Sequence, residues 1–297
     1  MINTSYKYIW LVRTILDAGK ITFEDINQKW MDNDISEGVE LSKRTFHKWR
    51  CAAEEIFSIN IECTDNRPYY YSISGKLTNN AMLRWLEQSA SVSSMLTNYR
   101  DVSDRIILED VPCSNETLAK VLSALRSQTI LTIEYQGFTK DKSFTFDVEP
   151  LGLKMFRQRW YLIAYNDYYD KVMVYSLDRI KHAENTSSKV SYDEDFDLEE
   201  YLANCYGVIA NDGTPLEKVR LKVTGNQTNY FRTLPLHSTQ NEIETHDTYS
   251  IFEYNIYPTF DFQKDILSYG ANVEVLSPQW LRELIRDRIK EMNEIYE

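Results

Sequence analysis

From Thr129 to Ile180 the hydrophobic period of this chain is two, and that stretch constrains the fold more than any other. The runs "ILTIEYQGF", "KSFTFDVEPLGLKMF", "RWYLIAYN" and "KVMVYSLDRI" are divided by turn signals at Gln136-Gly137, Asp141 and Asn166-Asp167. Apolar and polar residues alternating over such short runs describe half-buried strands, and four or five of them at this spacing suit a small antiparallel barrel. On the N-terminal side, across residues 76–128, the period is helical. Met82, Leu83 and Leu86, then Leu118, Val121, Leu122 and Leu125, recur every three or four residues. The chain therefore reads as α+β, and its 297 residues suit two or three domains.

The first 75 residues carry a different pattern. Tyr8, Leu11, Val12, Ile15 and Leu16 lie at helical spacing and Gly19 supplies a stop, so residues 5–18 are expected to form an amphipathic helix. Thr22 can cap a short second helix in "TFEDINQKW", with Phe23, Ile26 and Trp30 inward. Ser42 is placed to cap a third helix through Phe57, whose apolar stripe is Phe46, Trp49, Ala53, Ile56 and Phe57. Lys43, His47 and Arg50 follow at i, i+4 and i+7 on the opposite side, flanked by Arg44 and Lys48, with no acid in "SKRTFHKWR". The strands "INIEC" and "YYYSIS" then alternate around "TDNRP", a hairpin with Arg67 near its tip. Helix, helix, basic helix, hairpin is the order of a winged helix-turn-helix, and the bases sit where a recognition helix keeps its DNA contacts. Ser42, Lys43, Arg44, Lys48 and Arg50 are candidate DNA contacts, Thr45 and His47 the candidates for base edges, and Arg67 for a phosphate or minor-groove contact from the wing.

A formal net charge of −12 does not argue against a nucleic-acid partner, because the charge is unevenly placed. Residues 1–75 hold 9 Lys+Arg against 11 Asp+Glu, residues 76–180 hold 13 against 13, and residues 181–297 hold 11 against 21. Phosphate attraction depends on the field within roughly a Debye length, about 8–10 Å, so a clustered basic face acts locally.

Within the period-two region, Ile133 and Tyr135, then Glu149-Pro150-Leu151, Trp160-Tyr161-Leu162, Ala164-Tyr165 and finally Tyr175-Ser176-Leu177-Asp178-Arg179-Ile180 form an ordered set. This set resembles the WYL domain family of bacterial regulators. Two family arginines are absent: the segment before the central proline reads "KSFTFDVEP", and Ser176 stands before the final L-D-R-I. The resemblance implies an Sm-like antiparallel β-barrel that binds a nucleic-acid or nucleotide-like effector and transmits it to the DNA-binding domain. The residues themselves fit an anionic ligand: Lys154, Arg157 and Arg159 come without an acid between Pro150 and Tyr165, and Tyr135, Tyr161 and Tyr175 offer polar aromatic faces. The candidate effector contacts are Tyr135, Arg157, Arg159, Tyr161, Tyr175, Ser176 and Arg179, with Trp160 and Leu162 assigned to the core.

The segment "SYDEDFDLEEYLANCYG" clusters carboxylates without the order of a calcium loop and reads as a solvated acidic linker leading into a short helix. From Glu217 the pattern is strand, helix, two strands, helix, strand and a final amphipathic helix, a split β-α-β (ferredoxin-like) unit with an added helix. It resembles the C-terminal extension that follows many WYL domains, on Gly270, Val273, Val275, Pro278 and Leu281. The expected organisation is a winged helix-turn-helix at 1–75, a helical connector at 76–128, the WYL domain at 129–190, an acidic linker at 191–214 and the extension domain at 215–297.

No G-x-S-x-G, H-E-x-x-H, P-loop or G-x-G-x-x-G occurs, and the four histidines and four cysteines show no metal or disulfide spacing. An enzyme, a cofactor and a metal site are not expected. No apolar run is long enough to span a membrane, and Arg13 and Asp17 interrupt the N-terminal apolar segment, so a soluble cytoplasmic chain is expected. The sequence thus points to a DNA-binding transcriptional regulator with a double-stranded operator as partner, an oligonucleotide or nucleotide as effector, and a homodimer as the assembly. An RNA- or single-strand-binding module that uses the barrel as its main surface is the competing reading.

Overall fold

The computed structural model describes residues 4–33, 36–57, 59–74, 80–98, 105–107, 115–138, 140–192, 195–210 and 212–297. The chain divides into two compact units, Met1–Glu109 and Asp110–Glu297.

The first unit contains α1 (Thr4–Ala18), β1 (Ile21–Thr22), α2 (Phe23–Met31), α3 (Lys43–Phe57), β2 (Asn60–Cys63), β3 (Tyr70–Ser74) and α4 (Asn80–Asn98). Gly19 ends α1 at φ +67°, a conformation in which a Cβ would be strained. Thr22 caps α2 by accepting the Asp25 amide at 3.1 Å, and Ser42 caps α3 by accepting the Thr45 amide at 3.1 Å. The longer stretch between α2 and α3 is tied back by Asn27, whose side-chain oxygen accepts the Leu41 amide at 2.7 Å, and Leu41 is buried. The sheet order is β1-β3-β2, all antiparallel, with the two-residue β1 pairing Ile21 with Tyr71. Three tryptophans hold the helices together: Trp30 meets Trp10 and Trp49 edge-on at 5.0 and 4.9 Å. Ile56, expected in the apolar stripe of α3, is exposed instead, because the stripe turns outward before the helix ends. The helix α4 packs along α1, with an ion pair from Arg13 to Glu87.

The connector expected at 76–128 is divided between the two units. Residues 75–79, 99–104 and 108–114, and with them Cys113, lie outside the described residues. The helix α5 (Asn115–Ser127) packs on the sheet of the second unit, where Val121 and Ala124 are fully buried.

That sheet has five antiparallel strands: β4 (Thr129–Tyr135), β5 (Phe144–Phe156), β6 (Arg159–Asn166), β7 (Lys171–Ser176) and β8 (Ile180–Lys189), in the order β7-β6-β5-β4-β8. The expected closed barrel is not formed: β7 and β8 are open edges, with no pairing between them among the described residues. The 13-residue β5 explains this. Its first half pairs with β4 through Val148 and its second half with β6 from Glu149, with a register shift between Pro150 and Gly152. Pro150 has no N–H to donate, so the ladder bends there, and α5 fills the concave side that a barrel would have closed. Phe138, read from sequence as part of the first strand, lies beyond its end in the turn closed by the Lys140 amide on the Gly137 carbonyl at 3.0 Å.

The acidic segment leads into a short helix, with Asp195, Asp197, Glu199 and Glu200 exposed, while its first residues, Ser191 and Tyr192, are tied to the sheet. The buried carboxylate of Glu149 accepts the amides of Ser191 and Tyr192, both at 2.6 Å, and the Ser191 hydroxyl at 2.9 Å. Tyr192 stacks on Tyr165 at 4.4 Å. The short helix α6 (Leu198–Leu202), capped by Asp197, lays Leu198 against Gly152, where any Cβ would collide with the leucine side chain.

The remainder is β9 (Glu217–Thr224), α7 (Gln227–Thr233), β10 (Asn241–Thr245), β11 (Tyr249–Ile256), α8 (Phe260–Ser268), β12 (Val273–Ser277) and α9 (Gln279–Tyr296). The order β10-β11-β9-β12, antiparallel throughout, is that of a split β-α-β pair. Val219, Leu221 and Val223 of β9 alternate inward and meet Phe252, Tyr254, Phe262, Leu281 and Ile285. Among the described residues no helix is long and apolar enough to cross a membrane, and Cys51, Cys63 and Cys205 form no disulfide.

Candidate functional site

On α3 the apolar face turns Phe46, Trp49 and Ala53 into the core and leaves Lys43, Arg44, His47 and Lys48 exposed. Thr45 is half-buried, and its hydroxyl lies 2.8 Å from that of the exposed Ser42, so the cap occupies both. Arg50 departs from this set: it is half-buried, 3.6 Å from Glu54, with a buried Nε that has no hydrogen-bond partner. Glu54 also receives the Ile61 amide at 2.9 Å, so Arg50 belongs to the joint between α3 and β2. Arg67 is exposed in the hairpin turn, whose ends are held by Thr64 and Tyr70.

The second unit carries a cavity of about 670 Å³ between the face of β5, β6 and β7 and the C-terminal domain. Six residues singled out from the sequence line it: Tyr135, Arg157, Arg159, Tyr161, Ser176 and Arg179. They come from β4, the β5–β6 turn, β6, β7 and the turn after it, so only the folded sheet brings them together. Tyr161 points to this side while Leu162 is fully buried and Trp160 packs against the core, as alternation along β6 requires. Burial raises the Tyr161 phenol above its ordinary value, keeping it a hydrogen-bond donor at neutral pH.

Tyr175 is not among the lining residues. It is 4% exposed, its oxygen accepts the Asn166 amide at 2.8 Å, and burial pushes its phenol up to about 12. It supports the pocket through its edge-on contact with Tyr135 at 5.2 Å. The alternation of β7 places Tyr175 inward, and its polar tip is satisfied there by Asn166, which is why a tyrosine can occupy a core position.

Two of the arginines at the pocket are paired with acids, one of them, Asp178, within the L-D-R-I run and the other, Asp265, in no sequence pattern. Arg159 pairs with Asp178 at 3.1 Å, and Asp178 also receives the Ser176 hydroxyl. Arg157 pairs with Asp265 of α8, which is buried, and the Tyr206 hydroxyl donates to the same carboxylate. Burial works against the Arg157 charge, but the Asp265 hydrogen bond and charge outweigh it and raise its pKa. Three further cations, Lys171, Arg179 and Lys264, line the cavity and make no ion pair among the described residues. Lys264 comes from α8, so the C-terminal domain supplies part of the site. Asp212 and Asp261 also face the cavity; Asp261 accepts the Val208 amide at 3.0 Å. Lys154, grouped with the arginines in the sequence, is instead half-buried, donates to the Cys205 carbonyl at 3.3 Å, and has its pKa lowered by burial. Guanidinium forks, ammonium groups and a phenol around an open cavity suit an anionic ligand with planar groups.

Residues 116–185 match the model of the WYL domain and residues 215–292 that of the WCX domain. Among solved structures the chain is similar to proteasome accessory factor B/C (PafBC) of Arthrobacter aurescens, at 17% identity and a TM-score of 0.33 over 97% of this chain. It spans 47% of that PafBC chain. It is also similar to a crystal structure of a CRISPR Cas-related protein, at 13% identity and a TM-score of 0.41, covering 98% of this chain and 80% of the other. No curated protein matches the sequence.

Proposed function

We propose that this chain, which carries a WYL domain and a WCX domain, is a transcriptional regulator that binds duplex DNA through a winged helix-turn-helix in its first 75 residues and senses a nucleic-acid- or nucleotide-like effector in the pocket between the two domains. It acts by binding and not by catalysis. The observation that carries the DNA-binding part is the division of α3, with Phe46, Trp49 and Ala53 in the core and Lys43, Arg44, His47 and Lys48 in solvent, in a stretch (residues 42–50) without an acid. The helix order, the β2–β3 hairpin and Arg67 at its tip support docking of α3 in a major groove with the hairpin on the backbone. Two half-sites on a pseudo-palindromic operator require a homodimer, and the cytoplasm is where such a partner is reached.

Replacing Lys43, Arg44 and Lys48 together with Ala removes the exposed charge without touching the buried face. The variant is expected to lose duplex binding at 0.15 M salt while keeping its circular dichroism and melting temperature. Undiminished binding would overturn the assignment. The pocket favours a second reading, in which single strands are the main ligand. That reading predicts that the triple variant keeps its affinity for single-stranded DNA or RNA and that the wild type shows no preference for a duplex.

A further inference from the structure

Arg157 and Gln158 form the two-residue turn between β5 and β6, and both hold positive φ angles, 48° and 64°. Non-glycine residues adopt this conformation at a cost, so what the turn places there is informative. It places the Arg157 guanidinium between two cavities: the effector pocket, and a second of about 450 Å³ in the C-terminal domain walled by Tyr206, Tyr230, Leu234 and Tyr269. At that boundary Arg157 meets Asp265, whose side chain is only 4% exposed while that of Arg157 is 48% exposed. The other Asp265 oxygen accepts the Tyr206 hydroxyl. A carboxylate so far removed from water needs a cation beside it, and Arg157 is the one within reach.

We infer that Asp265, oriented by Tyr206, is a positioning and specificity-determining residue of the effector pocket: it fixes Arg157 at the pocket's edge and neutralises the charge that Arg157 offers to a ligand. The inference rests on the pocket being the anion-binding site proposed above. A guanidinium has five N–H donors, and a single hydrogen bond to Asp265 leaves donors free to face the cavity. A ligand phosphate at this edge therefore meets a neutral pair able to donate hydrogen bonds, whereas Arg179, Lys171 and Lys264, which share the cavity with Asp212 and Asp261, make no ion pair among the described residues. The pocket is then polarised along its length: anionic groups favour the unpaired cations, and the Arg157 edge tolerates a neutral polar group. Removing the carboxylate charge while keeping its shape unmasks Arg157.

The test uses the full chain with Asp265→Asn, Arg157→Ala and the double variant. Two readouts are taken: calorimetric titration with a single-stranded oligothymidylate at fixed salt, and the rate of phenylglyoxal modification at Arg157 by peptide mass spectrometry. Asp265→Asn is expected to bind the oligonucleotide roughly 3–10-fold tighter, in line with the coupling of close charge pairs, and to speed modification at Arg157 but not at Arg159. The gain should vanish in the Arg157→Ala background. Equal or weaker binding by Asp265→Asn, or a gain that persists without Arg157, overturns the inference. If the wild type and Asp265→Asn both fail to bind the probe while modification at Arg157 still accelerates, the effector reading fails and the hold of Asp265 on Arg157 stands. Tyr206→Phe, which removes only the hydroxyl, should move both readouts in the direction of Asp265→Asn by a smaller factor.

Discussion

The guanidinium of Arg179 lies 3.7 Å from the centre of the Phe138 ring, although Phe138 itself is 75% exposed. An aromatic ring left that open to water at the end of a hairpin contributes little to the core, so its contact with Arg179 is its main structural consequence. The ring lies over the guanidinium face, while the buried Arg179 Nε, whose N–H points along the edge of that plane, has no hydrogen-bond partner among the described residues.

Phe138→Ala is expected to leave the melting temperature within about 1 °C and to weaken binding of an oligothymidylate roughly 2–5-fold, the effect of removing an exposed cation–π interaction of about 0.5–1 kcal/mol. Phe138→Tyr keeps the ring and should bind as the wild type does. Titration calorimetry beside a melting curve separates the two effects, and an equal loss for Ala and Tyr would count against a role for the ring.

Glu149 gives a stability prediction. Glu149→Ala leaves the amides of Ser191 and Tyr192 without their acceptor and is expected to cost about 2–3 kcal/mol, the range for hydrogen bonds to a charged group partly replaced by water. The loss should be local first. Hydrogen exchange at Ser191 and Tyr192 should accelerate by one to two orders of magnitude while the strands β9 and β11 stay protected.

How far these arrangements could be read in advance depended on how local their causes are. The caps at Thr22 and Ser42, the stop at Gly19, the alternation on β6 and the split β-α-β order all follow from neighbours within a few residues, and each is present. Arg157, Arg159 and Tyr161, spaced two apart, follow the alternation of the strands, whereas Ser176 and Arg179 came from their places in the run that resembles the family. Asp265, Tyr206 and Lys264 were not legible, because Asp265 lies 108 residues after Arg157 and 59 after Tyr206, and their meeting depends on how the C-terminal domain docks on the β5–β6 turn. The tie at the start of the acidic linker was hidden for the same reason: the acceptor that holds Ser191 lies 42 residues earlier, at Glu149. The open sheet was hidden too, since strand number and spacing are the same for a closed barrel and for a bent sheet plugged by a helix.

Acid stability has a specific contributor in the C-terminal domain. Hydrogen bonds from Arg232, at 2.5 and 2.9 Å, hold the Glu242 carboxyl well below its ordinary value of 4.5, at about 2. A depressed carboxylate stabilises the folded state fully above its unfolded value and loses that contribution as pH falls from about 4.5 to about 2. The melting temperature of the wild type should therefore exceed that of Glu242→Gln by a constant margin above pH 5, and the margin should shrink below it. A margin independent of pH down to about 2.5 would show that the Arg232 pair does not contribute through charge.

The basic helix allows its DNA-facing side chains to be separated from its scaffold. Lys48 is exposed and makes no ion pair among the described residues, whereas Arg50, two residues on, is half-buried against Glu54. If α3 lies on a duplex, removing one cation from a phosphate lowers the slope of log K against log salt by about 0.9, because one fewer counterion is released. Lys48→Ala should therefore weaken duplex binding and flatten the slope by about that amount while leaving stability unchanged. Arg50→Ala should do the reverse: it leaves Glu54 without its cation at the α3–β2 joint, lowering stability by about 1 kcal/mol while keeping the salt slope of the wild type. Measuring both variants by fluorescence anisotropy on a duplex between 50 and 200 mM salt, together with their melting temperatures, decides the matter. A slope change at Arg50 equal to that at Lys48 would mean that the Arg50–Glu54 pair opens on DNA and that Arg50 reaches a phosphate after all.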